Sequence, residues 1–345
     1  MEPSGLKTFV MRRLLLMVPI FFGLYTVIFI ISRILPGDPV LLMLGPSASA
    51  YTPEQIALLR TRLGLDKPYY VQYFAYLVGL FRGDWGYSLH TKRQVLQDLV
   101  QFFPATFELA TASVIIAILV GIPLGVISAT HRNRLLDNVS RLLSLFGVSI
   151  PEFWSGIMAQ ILFASILSLF PTTGRWPAVS SIPPPASVTG LYVLDSLLAL
   201  NWDALYISLE HLILPAAVLS LSSISQITRF VRGQMIEVST QDFIVSATAN
   251  GIPKNLVTYQ YMLRNSLTTT LTMIGSVYAL LLGGAFVVES VFAWPGIANY
   301  TVTSVMYKDF NSVVGAVIIF GLGFLIVNFV VDVLYGYLDP RVRYE

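Results

Sequence analysis

Six apolar stretches, each about long enough to cross a lipid bilayer, dominate this sequence of 345 residues. About 20 apolar residues in a helix span the hydrocarbon core, because each helical residue advances the chain by about 1.5 Å. We therefore predict an all-α integral membrane protein with about six transmembrane helices. The predicted spans are residues 14–31, 104–129, 140–169, 211–230, 267–288 and 312–333.

The composition supports a membrane protein and excludes several other classes. Apolar residues make up 55% of the chain and charged residues 12%, and the mean hydropathy is +0.72. A soluble domain has about a quarter of its residues charged. A net charge of only +2 argues against nucleic acid as a partner. The absence of cysteine excludes disulfides, thiolate metal sites and cysteine nucleophiles.

Charge asymmetry predicts the orientation of the chain. More than half of the 21 lysines and arginines fall in residues 1–13, 130–141, 229–264 and 341–345, although the opposite segments are about twice as long. Positive charge is denser on the cytoplasmic side of membrane proteins, so both termini are expected to be cytoplasmic. The first span is expected to be uncleaved, because no small-residue cleavage site follows it directly. The expected location is the cell membrane, in contact with the lipid bilayer.

We divide the chain into three parts. Residues 1–34 form an N-terminal tail and the first transmembrane helix, residues 35–103 form an extracellular segment with short interfacial helices, and residues 104–345 form a core with five transmembrane helices. The core includes an extracellular insertion at about 171–210 and a cytoplasmic loop at about 239–264.

Residues 52–82 are predicted to form two short helices. Thr52 and Gln55 form a capping box, Gly64 ends the first helix and Pro68 opens the second. The second helix is rich in aromatic residues, which suit the headgroup level of the bilayer, although direct solute contact is an alternative. These aromatic residues are Tyr69, Tyr70, Tyr73, Phe74, Tyr76 and Phe81.

The insertion begins with a stretch rich in proline and serine and then continues as a predicted amphipathic helix at 191–204. A long ordered segment on the outside of a transporter can dock a binding protein. It can also serve as a lid or as a spacer, and the sequence leaves these alternatives open.

The 239–264 loop carries the most complete set of local signals. Ser239 and Asp242 have the spacing of a capping box, and residues 240–249 are predicted to be helical with Phe243, Ala247 and Ile244 on an apolar face. Gly251 can end this helix in the left-handed conformation, and Pro253 suits the start of a second helix to about residue 263. Two short helices that meet at an angle with apolar residues exposed indicate a protein partner, or else packing of the loop on its own bundle.

Val245-Ser-Ala247 with Gly251 resembles the Glu-Ala-Ala, three residues, Gly motif in the permeases of ATP-binding-cassette (ABC) importers. The chain is most similar to the oligopeptide/dipeptide/nickel permease family, in its first-permease (B-type) branch. The stretches that carry this resemblance are Leu35-Pro-Gly-Asp-Pro39, Leu63-Gly-Leu-Asp66, Gly83-Asp-Trp-Gly86, Ser149-Ile-Pro-Glu-Phe-Trp154, Thr228-Arg-Phe-Val-Arg232, Glu289-Ser-Val-Phe-Ala-Trp-Pro-Gly296 and Leu338-Asp-Pro-Arg-Val-Arg343. Val245 replaces the motif's usual Glu, and the insertion is longer than the family pattern.

The resemblance implies the fold of a type I ABC importer permease and a role in transport. Such a chain pairs with a second homologous permease, contacts two ATPase subunits through its coupling loop, and receives solute from an extracellular binding protein. ATP and Mg²⁺ would be held by the ATPase subunits, with no cofactor on this chain. Peptides are the default solute, with nickel complexes and oligosaccharides as alternatives. The residues implied to contact an ATPase are Asp242, Phe243, Ser246, Ala247, Ala249, Asn250, Gly251, Ile252 and Pro253.

Other classes find less support in the sequence. None of the five lysines follows a glycine, so the chain has no phosphate-binding loop, and its three histidines form no His-Glu-x-x-His pair. An ion-coupled secondary transporter is the stronger rival, because such carriers use ionisable residues at mid-membrane. Glu108, Glu152, Glu289 and Asp332 fall near predicted span ends, where structural roles are the alternative.

We name four candidates for the solute pathway or gate, Glu152, Phe153, Trp154 and Glu289. Glu152 follows Pro151, so it can face the solute path or cap a broken helical turn. Gly121-x-x-x-Gly125 and Gly283-Gly284 are expected to allow close helix packing rather than to form a gate.

Overall fold

The computed structural model describes residues 3–34, 39–44, 49–62 and 64–338, and these are mainly helical. Parts of three sequence motifs, residues 35–38, residue 63 and residues 339–343, lie outside the described residues. The first helices are α1 (Pro3–Ile34), α2 (Pro39–Leu44), α3 (Pro53–Arg62), α4 (Tyr69–Arg82), α5 (Val95–Thr130), α6 (Leu135–Ser149), α7 (Glu152–Ala159) and α8 (Tyr192–Leu198). The others are α9 (Trp202–Ser239), α10 (Asp242–Ala249), α11 (Lys254–Leu256), α12 (Arg264–Gly284), α13 (Phe286–Val291), α14 (Ile297–Met306) and α15 (Phe310–Leu338).

Five helical stretches of the described chain are long and apolar enough to cross a bilayer. They are Thr8–Ile31 in α1, all of α5, all of α9, Lys254–Gly284 and Phe310–Leu334 in α15. A sixth crossing is made if the bent pair of α6 and α7 counts as one span. The prediction of an all-α membrane protein with about six spans is confirmed.

The span predicted at 140–169 consists of two helices and not one. Here α6 and a helix of residues 152–166 meet at an angle of 101°. Pro151 has no N–H to donate and disfavours helical geometry at Ile150, whose φ of −85° and ψ of 125° are extended. Beyond residue 159 the helix widens into a π-helix at Gln160–Ile166.

Helices α5 and α9 form the centre of the bundle, and glycines bring them close together. A Cβ added at Gly121 would lie 3.0 Å from Ile227, and one at Gly125 would lie 2.7 Å from Val231. The prediction of close packing at this glycine pair is confirmed. A Cβ at Gly283 or Gly284 would meet nothing within 4 Å, so that second pair packs against no described part of the chain.

The two short helices predicted at 52–82 are present as α3 and α4. The backbone N–H of Thr52 donates to the Gln55 side chain at 2.9 Å, and the N–H of Gln55 donates to the Thr52 hydroxyl at 3.3 Å. This exchange is the predicted capping box. Gly64 has the expected left-handed φ of +66°, and Pro68 directly precedes α4.

The insertion departs from the single helix predicted at 191–204. Helix α8 ends at Leu198, Leu200 turns with a φ of +51°, and the side chain of Asn201 accepts a hydrogen bond from the N–H of Ala204. Asn201 therefore caps α9, which starts before the predicted span at 211–230 and ends well after it. We call the end of the bundle that carries residues 171–201 the insertion end, and the end that carries residues 239–264 the loop end.

At the loop end the capping box predicted at Ser239 is wrong. Ser239 is the last residue of α9 and its hydroxyl donates back to the carbonyl of Ile236 at 2.6 Å, so Gln241 precedes α10 instead. The predicted second short helix is also longer than expected. It begins after Pro253 and continues through α11, a π-helix at Val257–Leu263 and α12 as one helical stretch to Gly284.

Candidate functional site

Helix α10 has a buried face and an exposed face. Ile244 and Ala247 are buried in a small cluster with Val238 and Val257, whereas Phe243 is 40% exposed. The apolar face expected from the sequence is therefore divided, with Ala247 on the inner side and Phe243 on the outer side. The other predicted coupling residues on α10 and in the turn after it are exposed, except Ile252, which is half-buried.

The turn after α10 depends on the conformation predicted for Gly251. Its φ is +76°, and the N–H of Ile252 donates to the carbonyl of Ala247 at 3.1 Å. A Cβ at Gly251 would meet nothing within 4 Å, so backbone conformation alone favours glycine here. Both helices that flank α10 continue into the bundle without a break, since α9 has 38 residues and Lys254–Gly284 has 31.

A buried ion pair connects α5, α6 and α9 at the loop end. The carboxylate of Asp137 is completely buried and accepts hydrogen bonds from Nε and Nη2 of Arg232 at 2.8 and 2.9 Å. It also accepts from the hydroxyl of Ser128 and from the N–H of Asn133. This pair was missed in the sequence analysis, because no local pattern connects residues that lie 95 positions apart.

The insertion is fixed to the bundle by a second buried pair. Nε of Arg175 donates to Glu108 at 3.0 Å, its Nη2 donates to the carbonyl of Gly190 at 2.8 Å, and the guanidinium lies 3.8 Å from the centre of the Tyr192 ring. The other oxygen of Glu108 accepts from the N–H of Val193 at 2.8 Å. Glu108 therefore has a structural role, which the sequence left as an alternative.

Within the insertion, Asp195 organises the turn that precedes α8. Its buried carboxylate accepts hydrogen bonds from the hydroxyl of Thr189 and from the N–H groups of Val188, Thr189 and Gly190. Burial acts to raise the pKa of Asp195, but these hydrogen bonds to the charged form hold that pKa below its usual value.

Glu289 is completely buried at the insertion end and contacts two elements. It accepts hydrogen bonds from the hydroxyl of Thr106 at 2.6 Å and from the N–H of Asn299, in the first turn of α14, at 2.8 Å. Burial raises the pKa of Glu289 to about 7, against the lowering effect of its hydrogen bonds. A Cβ at Gly296 would overlap the Glu289 carboxylate, which explains the glycine in that motif.

The other pathway candidates lie at the bend between α6 and α7. The hydroxyl of Ser222, on α9, lies 3.4 Å from the carboxylate of half-buried Glu152. Phe153 and Trp154 are each about half exposed. Gly156 supports the bend, because a Cβ there would lie 3.2 Å from Val291 on α13. The structure gives Glu152 and Glu289 no hydrogen-bond partner in common.

The three histidines remain apart. His90 stacks on Tyr307, His131 lies 3.1 Å from the carbonyl of Ile127, and His211 lies 2.9 Å from the carbonyl of Gly174. No group of three His, Asp or Glu side chains in the described part of the chain could hold a metal ion.

Comparison with known families covers nearly the whole chain. Residues 121–344 match the model of the binding-protein-dependent transport system inner membrane component, and residues 6–110 match the model of the N-terminal region of such membrane components. Together the two models include α10, the Asp137–Arg232 pair and the bend at Pro151.

Several curated relatives are similar over almost their full length. The "Probable D,D-dipeptide transport system permease protein DdpB" of Escherichia coli K12 is 42% identical over 93% of both chains. The dipeptide transport system permease protein DppB of Alkalihalophilus pseudofirmus is 38% identical over 97% of this chain and 99% of its own length. The protein of that same name from Escherichia coli K12 is 35% identical over 98% of this chain and 99% of its own length. This multi-pass membrane protein therefore belongs to the family of inner membrane components of binding-protein-dependent transport systems, as a permease subunit of an ABC importer and not an enzyme.

Proposed function

We propose that this chain forms half of the translocation pathway for di- or oligopeptides and couples that pathway to a separate ATPase. The observation that carries the proposal is similarity over almost the full length to permeases whose names specify dipeptide transport. The exposed helix α10, held between two long helices at the loop end, supports the coupling role.

Coupling in this proposal depends on rigid connections. The outer face of α10, with Asp242, Phe243 and Ser246, seats on an ATPase subunit. Ile244 and Ala247 fix α10 to the ends of its neighbouring helices, so a movement of the ATPase moves α9 and α12 with it. The Asp137–Arg232 pair passes that movement on to α5 and α6.

The assembly that we propose has four kinds of subunit. This chain pairs with a second, homologous permease, and two ATPase subunits bind ATP and Mg²⁺ at the loop end, which lies in the cytoplasm with both termini. A binding protein delivers solute at the insertion end. The insertion, anchored by Arg175 and Glu108 and exposed at Val179, gives that protein an ordered surface. Glu152, Phe153 and Trp154 line the pathway, and Glu289 fixes the structure around its outer mouth.

Co-purification tests the class of transporter. Affinity purification of the tagged chain from its native membranes in mild detergent should recover an ATP-hydrolysing subunit and a second permease. A Phe243→Asp variant should lower ATPase recovery at least tenfold, because it places a charge on the proposed contact face. Val179→Asp, a similar change at an exposed position of the insertion, should leave recovery unchanged. Recovery of the chain without any ATPase would contradict the proposal and favour an ion-coupled carrier.

A further inference from the structure

The buried carboxylates of this protein are well provided with partners. Each of the completely or almost completely buried ones among the described residues has an ion pair or at least two hydrogen-bond donors, as expected for charged groups away from water. Asp98 contacts Arg93, Thr91 and Tyr300, Glu108 contacts Arg175 and Val193, and Asp137 contacts Arg232, Ser128 and Asn133. Asp195 contacts the turn at residues 188–190, Glu289 contacts Thr106 and Asn299, and Asp309 contacts Ser88, Leu89 and Ser312.

Three half-buried carboxylates remain in the helices of the bundle, and Glu152 differs from the other two. Asp332 lies 3.3 Å from Nη1 of Arg13. Glu210 lies near the start of α9, at the insertion end. The carboxylate of Glu152 has a single hydrogen-bond partner in the described part of the chain, the hydroxyl of Ser222 at 3.4 Å. Most of its acceptor capacity is therefore unused.

The position of Glu152 makes this unused capacity unusual. Ser222 is close to the midpoint of α9. Glu152 comes after all 15 residues of α6, which starts at the loop end, so about 22 Å of helix separates Glu152 from that end. Glu210 is about 18 Å nearer the insertion end along α9, because it precedes Ser222 by three helical turns. A carboxylate at the depth of Glu152 is costly if it faces lipid, so such residues normally face a water-filled cavity or a charged partner.

We propose that the carboxylate of Glu152 receives the terminal ammonium group of the peptide as it passes the bend. This inference rests on the proposed peptide function. The α-amino group of a peptide has a pKa of about 8 and is mostly protonated at neutral pH, and its N–H donors match the acceptors of a carboxylate. A metal cation fits the site less well, because Ca²⁺ and Mg²⁺ take about six oxygen ligands and no group of three His, Asp or Glu side chains is present among the described residues.

The neighbours of Glu152 suit this ligand. Phe153 and Trp154, the next two residues of α7, are each about half exposed, and aromatic surface tolerates peptide side chains of different kinds. A single charged group that contacts the constant part of every peptide would select for a free amino terminus and not for one side chain.

Uptake by the complete transporter tests the proposal. The permease pair and its ATPases are reconstituted in liposomes with the binding protein, and dialanine and N-acetyl-dialanine are each supplied at a concentration that saturates that protein. Glu152→Gln should slow dialanine uptake about tenfold to a hundredfold, the range expected for one charge-assisted hydrogen bond. Uptake of the acetylated peptide should stay within twofold, and Glu152→Asp should restore most of the dialanine rate.

Matched measurements separate this role from a structural one. Glu210→Gln, the same change at the half-buried carboxylate nearer the insertion end, should leave both uptake rates unchanged. Equal loss of both peptides in Glu152→Gln would show that Glu152 only supports the bend and would overturn the proposal. An unchanged ratio of the two rates would overturn it as well. If the wild-type transporter takes up neither peptide, the proposed peptide function fails first and this inference fails with it.

Discussion

Replacing Gly251 with valine should abolish solute-stimulated ATP hydrolysis by the assembled transporter, with a fall of at least tenfold, while the chain still inserts in the membrane. Gly251 has a φ of +76°, where a β-branched residue is strained by roughly 1–3 kcal/mol. No neighbour obstructs the new side chain, so the strain is relieved only by a change in the turn that joins α10 to Lys254–Gly284. That change would reorient α10, the proposed contact with the ATPase.

Two variants control the Gly251 experiment. Gly251→Asn should keep most of the stimulation, because asparagine adopts the left-handed conformation more readily than valine does. Gly233→Val adds the same side chain to α9, where a Cβ also meets nothing within 4 Å and φ is not positive, and it should change the rate less than twofold. If Gly251→Val retains both transport and stimulation, the assignment of residues 239–264 as the coupling loop is wrong.

Replacing Arg232 with glutamine should lower the free energy of unfolding by about 3 kcal/mol, because it leaves the completely buried Asp137 without its charged partner. Asp137→Asn should have a similar effect. The midpoint of thermal unfolding in detergent, followed for both single variants and for the double variant, measures the change.

The double variant separates the ion pair from other effects of the two substitutions. Its loss should be clearly smaller than the combined loss of the single variants, since the second change no longer leaves a buried charge unpaired. Arg229→Gln removes an exposed arginine one turn earlier on α9 and should change the midpoint little. Additive losses in the double variant would contradict a direct coupling between Asp137 and Arg232.

Local signals predicted the parts of this fold that depend on neighbours in the sequence. The spans follow from continuous apolar runs, the start of α3 from the reciprocal bonds of Thr52 and Gln55, and the turn at Gly251 from the need for a positive φ. The capping box predicted at Ser239 was wrong because a serine hydroxyl can also donate to a backbone carbonyl of the preceding turn. Ser239 does so and is therefore the last residue of α9, not the cap of α10.

Long-range contacts could not be predicted in this way. Asp309 accepts hydrogen bonds from Ser88 and Leu89, more than 200 residues earlier, and Arg175 pairs with Glu108 across 67 residues. Pro151 was visible in the sequence, but the close approach of Gly156 to Val291 on α13 was not. The coupling and pathway residues named from the sequence are now placed in space, and their roles stay predictions.

The most direct test of the central claim is uptake of a labelled dipeptide into liposomes that contain this chain with its partner permease and ATPases. With the binding protein outside and ATP inside, the label should accumulate in the lumen against its gradient. Accumulation should stop without ATP and should be indifferent to proton and sodium gradients. Accumulation driven by an ion gradient in the absence of ATP would contradict the account.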